Sequence, residues 1–328
     1  MIKSIAIAFT AASVVLAQSS ASSAAGSQST STSPLIPKNI SSACTSFLTD
    51  FNQDTSLNAC TAPLISATKA FAPGGQSTGS PTNAQIVAAL NTLCAAGSST
   101  CSDDQIRSHL ANFYSACSAE LTSQSNPDVV RTYDVLYMLK PLQGALCTKN
   151  DNGDFCATKA KLPGSTSAAP SGLSNAVANT GPAPVDYQKY LYSEQTLTRR
   201  APTAALIPNT TTYSEINLPF LFLSPDDPTE TLCTSCTRSI LVSYINFESS
   251  VPYAPGLAAS PMLNKQPALY TAITDKCGSN FLGGAVQAAG GLKGGFLDNG
   301  APRVIGGEAA LSIMAIVLGA TAVTTSFL

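Results

Sequence analysis

The chain has no tryptophan, a single histidine and few charges, with 17 Lys and Arg against 19 Asp and Glu. A formal net charge of -2 excludes the basic surface that nucleic-acid phosphates require. The missing tryptophan removes the strongest ring for stacking on sugars. There is no G-x-S-x-G, no H-E-x-x-H and no P-loop pattern. No enzyme class, cofactor or metal centre is therefore expected from motifs. What the sequence does carry is an address, a processing pattern and a cysteine framework.

Met1 to Lys3 form a short positive start, Ser4 to Leu16 an apolar stretch, and Val15 and Ala17 sit at the small-residue positions of a secretory cleavage site. Cleavage is expected before Gln18. At the other end Ala309 to Leu328 carries no charge and nothing basic follows it. A GPI signal needs small attachment residues, a polar spacer and a terminal apolar stretch. Asn299, Gly300 and Ala301, then PRVIGGE from Pro302 to Glu308, then the apolar end supply these in order. Attachment is expected at Asn299, with Asp298 and Gly295 as alternatives. A single-pass helix would be flanked by basic or aromatic anchors, and only Phe327 qualifies.

Ten cysteines in a secreted chain read as disulfides. Cys44, Cys60, Cys94, Cys101, Cys117, Cys147 and Cys156 precede residue 160, and Cys233, Cys236 and Cys277 follow it. Both groups are odd in number, so full pairing within the chain requires a bridge between the halves. The uncharged, Pro/Gly/Ser-rich stretch from Leu162 to Val185 reads as a linker. Arg199 and Arg200 after it form a dibasic processing candidate, with two solvated arginines as the bland alternative. Gln18 to Pro34 holds ten Ser or Thr in seventeen residues and reads as a disordered, O-glycosylated stalk. Asn39 and Asn209 open N-glycosylation sequons.

Within the cysteine-bearing regions the apolar spacing is helical. Thr82 and Gln85 form a capping box before Ile86, Val87, Leu90, Leu93 and Cys94; Ser102 and Gln105 do so before Ile106, Leu110, Phe113 and Cys117. Asn126 and Pro127 open a third helix with Val130, Tyr133, Leu136 and Tyr137 inward, which Pro141 should kink or end. Asp227 before Pro228, and Ser260 before Pro261, predict two further helix starts. A short strand is expected near INLPFLFL. Ile106, Leu110, Asn112 and Phe113 match Ile240, Tyr244, Asn246 and Phe247 in a weak internal repeat. The fold class is mainly α, a disulfide-stapled helical bundle with the option of two related helical halves. The domain map runs 1–17 signal peptide, 18–40 stalk, 41–160 cysteine-rich helical region, and 161–212 linker with the dibasic site. It continues with 213–283 second cysteine-containing helical region, 284–299 glycine-rich stalk and 300–328 removed GPI signal.

Signal peptide, Ser/Thr-rich stalk, the blocks SSACTSFLTDFNQ, LNACTAPLISATKAF, NTLCAAGSSTCS, FYSACS and LCTSC, and the GPI tail together resemble a family of fungal secreted, cysteine-rich proteins of unknown function. That resemblance covers nearly all of the chain and implies no activity. More loosely, the first six cysteines resemble those of elicitins, small helical secreted proteins that bind sterols. The resemblance implies pairing of Cys44 with Cys117, Cys60 with Cys101 and Cys94 with Cys147, leaving Cys156 to cross to the second half.

Individual candidates for chemistry have plainer readings. His109 reads as a satisfied or solvated residue, because no nucleophile motif accompanies it. Cys233 to Cys236 has thioredoxin-type spacing without a βαβ context, so bridges are expected there. Asp151 and Asp154 around Asn152-Gly153 read as a tight turn rather than a calcium loop. Asp226 and Asp227 read as a helix cap rather than paired glycosidase acids. Two roles remain. One is a GPI-anchored structural or interaction protein of the cell surface or wall, with membrane lipid as its anchor partner and wall polysaccharide as a candidate partner. The other is a sterol or lipid carrier whose cavity would be lined by Ile86, Leu90, Leu93, Ile106, Leu110, Phe113, Leu136 and Tyr137. Core is the default for such stripes, so the surface role leads.

Overall fold

The computed structural model describes residues 36–68, 82–95, 101–160, 191–192 and 207–283. Ten α-helices and no strands occur among them. In chain order they are α1 Ser42–Phe51, α2 Asn58–Thr68, α3 Asn83–Ala95, α4 Asp103–Ala116, α5 Ser118–Leu121, α6 Pro127–Leu146, α7 Thr210–Glu215, α8 Thr229–Leu232, α9 Ser235–Ser250 and α10 Gln266–Cys277. Short 3-10 turns at Thr55–Leu57, Cys156–Lys159, Leu218–Phe220 and Leu257–Ala259 join them.

The centre is α6. Fourteen of its twenty residues are buried, on every face rather than along one stripe, which marks a helix enclosed by others. Helices α3, α4 and α9 pack on it. Asn126 caps its start by accepting from the Asp128 and Val129 N–H groups, with Pro127 in the first turn. The helix does not end at Pro141 but runs through it to Leu146. Enclosure by neighbouring helices outweighs the roughly 3 kcal/mol penalty of an interior proline. Three residues on, Gly144 lies so close to α9 that a Cβ would sit 3.2 Å from the Ser243 Cβ.

Capping follows the sequence in part. Thr82 and Gln85 form the reciprocal box at α3. Ser102 caps α4 through the Gln105 N–H, but the Gln105 side chain donates to the Ser56 carbonyl instead of completing the box. Asp227 does not cap α8: the preceding Pro228 stands at the N-cap, and the Asp227 carboxylate accepts from the Ser224 N–H. Ser260 starts a turn rather than a helix. Its Oγ accepts from the N–H groups of Met262 and Leu263, while α10 begins at Gln266 with Pro267 in its first turn.

INLPFLFL is not a strand. Asn217, Leu221 and Phe222 have φ of 50°, 51° and 71°, which bends the backbone into the left-handed region around a 3-10 turn. Pro219 cannot donate to a ladder, and burial of Leu218, Phe220, Leu221 and Phe222 holds the segment in place. The span 161–212 expected as linker contains ordered pieces, although its compositional part, 162–185, lies outside the described residues. Leu191 and Tyr192 are buried, Tyr192 bridges to Pro208, and α7 starts at Thr210, ahead of the boundary placed at 213.

All ten cysteines are paired: Cys44 with Cys117, Cys60 with Cys101, Cys94 with Cys147, Cys156 with Cys236 and Cys233 with Cys277. The first three pairs are those the elicitin resemblance implies. The crossing bridge is Cys156 to Cys236. A ladder of rings joins the same halves through the core. Phe113 meets Tyr133, Tyr133 meets Tyr253, Tyr253 meets Tyr137 and Tyr137 meets Phe247, all edge-on with centroids 5.0 to 5.4 Å apart. The repeat-related Phe113 of α4 and Phe247 of α9 thus contact tyrosines one turn apart on α6. Each such pair contributes about 0.5 to 1.5 kcal/mol beyond its buried area. The expected result of cutting the chain once between residues 161 and 190 is a single species on non-reducing denaturing gels. Reduction, or the Cys156→Ser/Cys236→Ser double change, separates it into two fragments.

Candidate functional site

The eight residues proposed to line a lipid cavity come together in the core, each between 0% and 4% exposed. Their neighbours fill the space. Phe113 packs on Tyr133, and Tyr137 is held between Tyr253 and Phe247 while its hydroxyl donates to the Val251 carbonyl. A half-open cleft of about 260 Å³ does lie where α3, α4, α6 and α9 meet, but of the eight it shares only Leu93. Lys140, Gln143, Asn246, Phe247 and the Cys94–Cys147 bridge form much of its wall. Lys140 donates to the Cys101 carbonyl and lies 3.5 Å from Asp103, so its charge is matched inside the protein.

Chemistry that the sequence did not reveal gathers midway along α4, at His109. His109 Nε2 lies 3.0 Å from Ser56 Oγ, and Nδ1 lies 3.7 Å from Asp54 Oδ2. Asp54 Oδ1 accepts from the Ser56 N–H at 2.8 Å, capping the 3-10 turn. That N–H and the Ser56 hydroxyl, and then the imidazole, hold the Asp54 carboxyl below its ordinary range despite some burial. The two segments are tied by the Cys60–Cys101 bridge and by Gln105. Ser56 is exposed and the His109 side chain is 15% exposed. Sequence reading passed over Ser56 and Asp54 because they are 53 and 55 positions from the histidine and match no local motif.

One buried acid and one half-buried acid fasten the 251–277 segment to the central helices. Asp134 of α6 is 0% exposed; Oδ1 accepts from the Tyr253 hydroxyl, and Oδ2 from the Ser260 hydroxyl at 2.8 Å and the Met262 N–H at 3.2 Å. Burial outweighs those three donors and pushes its pKa up to about 7. Glu248 of α9 takes both its bonds from the Gln266 amide, at 2.6 and 2.8 Å, and burial raises it to about 8. Asp134 had a signal in the sequence, a lone acid inside the apolar run VVRTYDVLYML.

The remaining candidates settle into structural roles. Cys233 and Cys236 bond to different partners, Cys277 and Cys156, so they form no redox pair with each other. Asn150 Oδ1 accepts from the N–H groups of Asn152 and Asp154, and Gly153 has φ 84°, making the tight turn. Asp151 accepts from Ser235, and Asp154 pairs with Lys159. Cys44, Cys117 and Glu120 lie within reach of a common ion, but the two sulfurs are bonded to each other and Glu120 accepts from the Ser41 N–H. Asn39 is exposed, whereas Asn209 is half-buried and caps α7 through the Thr212 N–H. Arg199, Arg200, Asn299, both terminal signals and nearly all of the stalk lie outside the described residues. Among the described residues no helix is long and apolar enough to cross a membrane.

Residues 30–171 match the model of a domain of unknown function (DUF7729). No curated protein and no solved structure matches the chain. The matched span contains seven cysteines, and the partner of Cys156 lies beyond it at Cys236. The region that resembles the family is therefore covalently completed by the second half of this chain.

Because Asp134 and Glu248 have raised pKa values in the folded state, the fold binds more protons than the unfolded chain between about pH 4 and pH 8. Stability should fall as pH rises through that window and level off above it. Thermal melting across pH 4 to 9 checks this, with Glu248→Gln expected to flatten the slope. Asp134→Ala removes the acceptor of two buried hydroxyls, those of Tyr253 and Ser260, and should cost about 3 kcal/mol or more in denaturant titration.

Proposed function

We propose that the protein is a GPI-anchored extracellular module of the cell surface or wall, with a structural or interaction role. The observation that carries this reading is the set of five disulfides, which leaves no free cysteine. Such a set forms and persists in oxidising compartments. The terminal patterns supply the route and the anchor: a secretory signal over 1–17, and attachment at Asn299 after removal of 300–328. The occupied core favours this role over lipid carriage, since the apolar stripes are packed against one another and against the tyrosine ladder.

Expression of the full chain in a eukaryotic host tests the anchor. Surface protein should be released by phosphatidylinositol-specific phospholipase C, and a variant lacking 300–328 should appear in the medium. Retention after lipase treatment, with release only by detergent, would contradict the anchor. Native mass spectrometry of the secreted 35–299 region addresses the carrier reading: the expected species is protein and glycan alone, before and after addition of sterol. A stoichiometric sterol adduct would overturn the surface-module reading in favour of the carrier.

A further inference from the structure

We propose that Ser56 is a base-activated nucleophile that accepts acyl groups from small carboxylic esters, with His109 as its base and Asp54 as the group that orients the base. This goes beyond the surface-module reading and does not depend on it. The chain's one imidazole stands between a hydroxyl on Nε2, at 3.0 Å, and a carboxylate on the side of Nδ1, at 3.7 Å. A base that takes a proton at one nitrogen while a carboxylate fixes the other is the arrangement that activates a serine, and contacts of this kind are often loose before substrate binds. Asp54 favours the tautomer with hydrogen on Nδ1, which leaves the Nε2 lone pair directed at Ser56.

The arrangement is held from several sides. Gln105, one turn before His109 on α4, donates to the Ser56 carbonyl, and the Cys60–Cys101 bridge fastens the serine-bearing segment to the start of that helix. Phe51 stands edge-on to the imidazole with centroids 6.0 Å apart. The turn itself is already secured through backbone groups, by Asp54 on the Ser56 N–H and by Gln105 on the Ser56 carbonyl. The Ser56 hydroxyl also faces the Asp54 carboxylate, so capping needs nothing from the imidazole, and the 3.0 Å contact of that hydroxyl with Nε2 is what remains to be explained. The serine is exposed on its turn, which suits ester groups on small or flexible molecules that can approach from solvent.

In the step proposed, Ser56 Oγ attacks the acyl carbon as its proton passes to His109 Nε2. The bond from that carbon to the ester's alcohol oxygen then breaks, and Nε2 returns the proton to the departing alcohol. Water repeats the sequence on the acyl-serine, regenerating Ser56 and releasing the carboxylic acid. No oxidant, metal or further co-reactant is required.

The test is reaction of the full disulfide-bonded protein with a fluorophosphonate probe and with p-nitrophenyl acetate, followed by peptide mass mapping. The expected result is a single covalent adduct on Ser56. His109→Gln should slow labelling about 100-fold or more, with partial rescue by imidazole added to the solution; Asp54→Asn should give a smaller loss. Ser56→Ala removes only an exposed hydroxyl, so it should keep the native disulfides and thermal transition while losing the adduct. Should the histidine variant fail to fold, the serine variant still decides. Wild type labelled no faster than Ser56→Ala, or adducts scattered over other serines, would overturn the proposal.

Discussion

Every part of the described structure answers to one constraint: α6 must be covered on all sides. A helix whose tyrosines, branched aliphatics and one carboxylate are buried around its whole circumference has no solvent face to offer. Helices α3 and α4 from the first half and α9 from the second complete the enclosure. Neither half can bury α6 alone, which explains why a chain with a linker-like middle folds around one core. The crossing bridge and the ring ladder from Phe113 to Phe247 are the covalent and aromatic expressions of that dependence.

The helices of the first half were legible because their signals are local. Capping boxes at Thr82 and Ser102, the Asn126-Pro127 start and the apolar spacing after each all specify helix within a few residues. The parity of the cysteines made a crossing bridge necessary from counting alone, although the partner of Cys156 required the fold. The misreadings came where tertiary packing overrode local preference. Pro141 sits inside a helix held by its neighbours, Asp227 turns back to Ser224, and the apolar run at 218–223 is buried as a bent 3-10 segment rather than paired as a strand.

The candidate chemistry was illegible for a related reason. Ser56 and Asp54 belong to a short turn whose residue types suggest only capping, and nothing in the sequence brings His109 beside them. The disulfide and Gln105 do so in three dimensions. Asp134 was visible in principle, since an acid in an apolar helical run is costly to bury without partners. Its hydroxyl partners come from 253 and 260, far along the chain and in segments with no regular period. The eight apolar stripe residues were located correctly as inward-facing, yet inward-facing residues line a cavity only if the opposite wall stands back. Here Tyr133, Tyr253 and Phe247 occupy that space.

The central claim is that both halves form a single cooperative unit around α6. Differential scanning calorimetry of the intact, oxidised protein at pH 5 tests it most directly. The account predicts one transition with equal calorimetric and van't Hoff enthalpies. Two separable transitions, or a calorimetric enthalpy well above the van't Hoff value, would mean that the halves fold independently and that the enclosure of α6 is not what holds the molecule together.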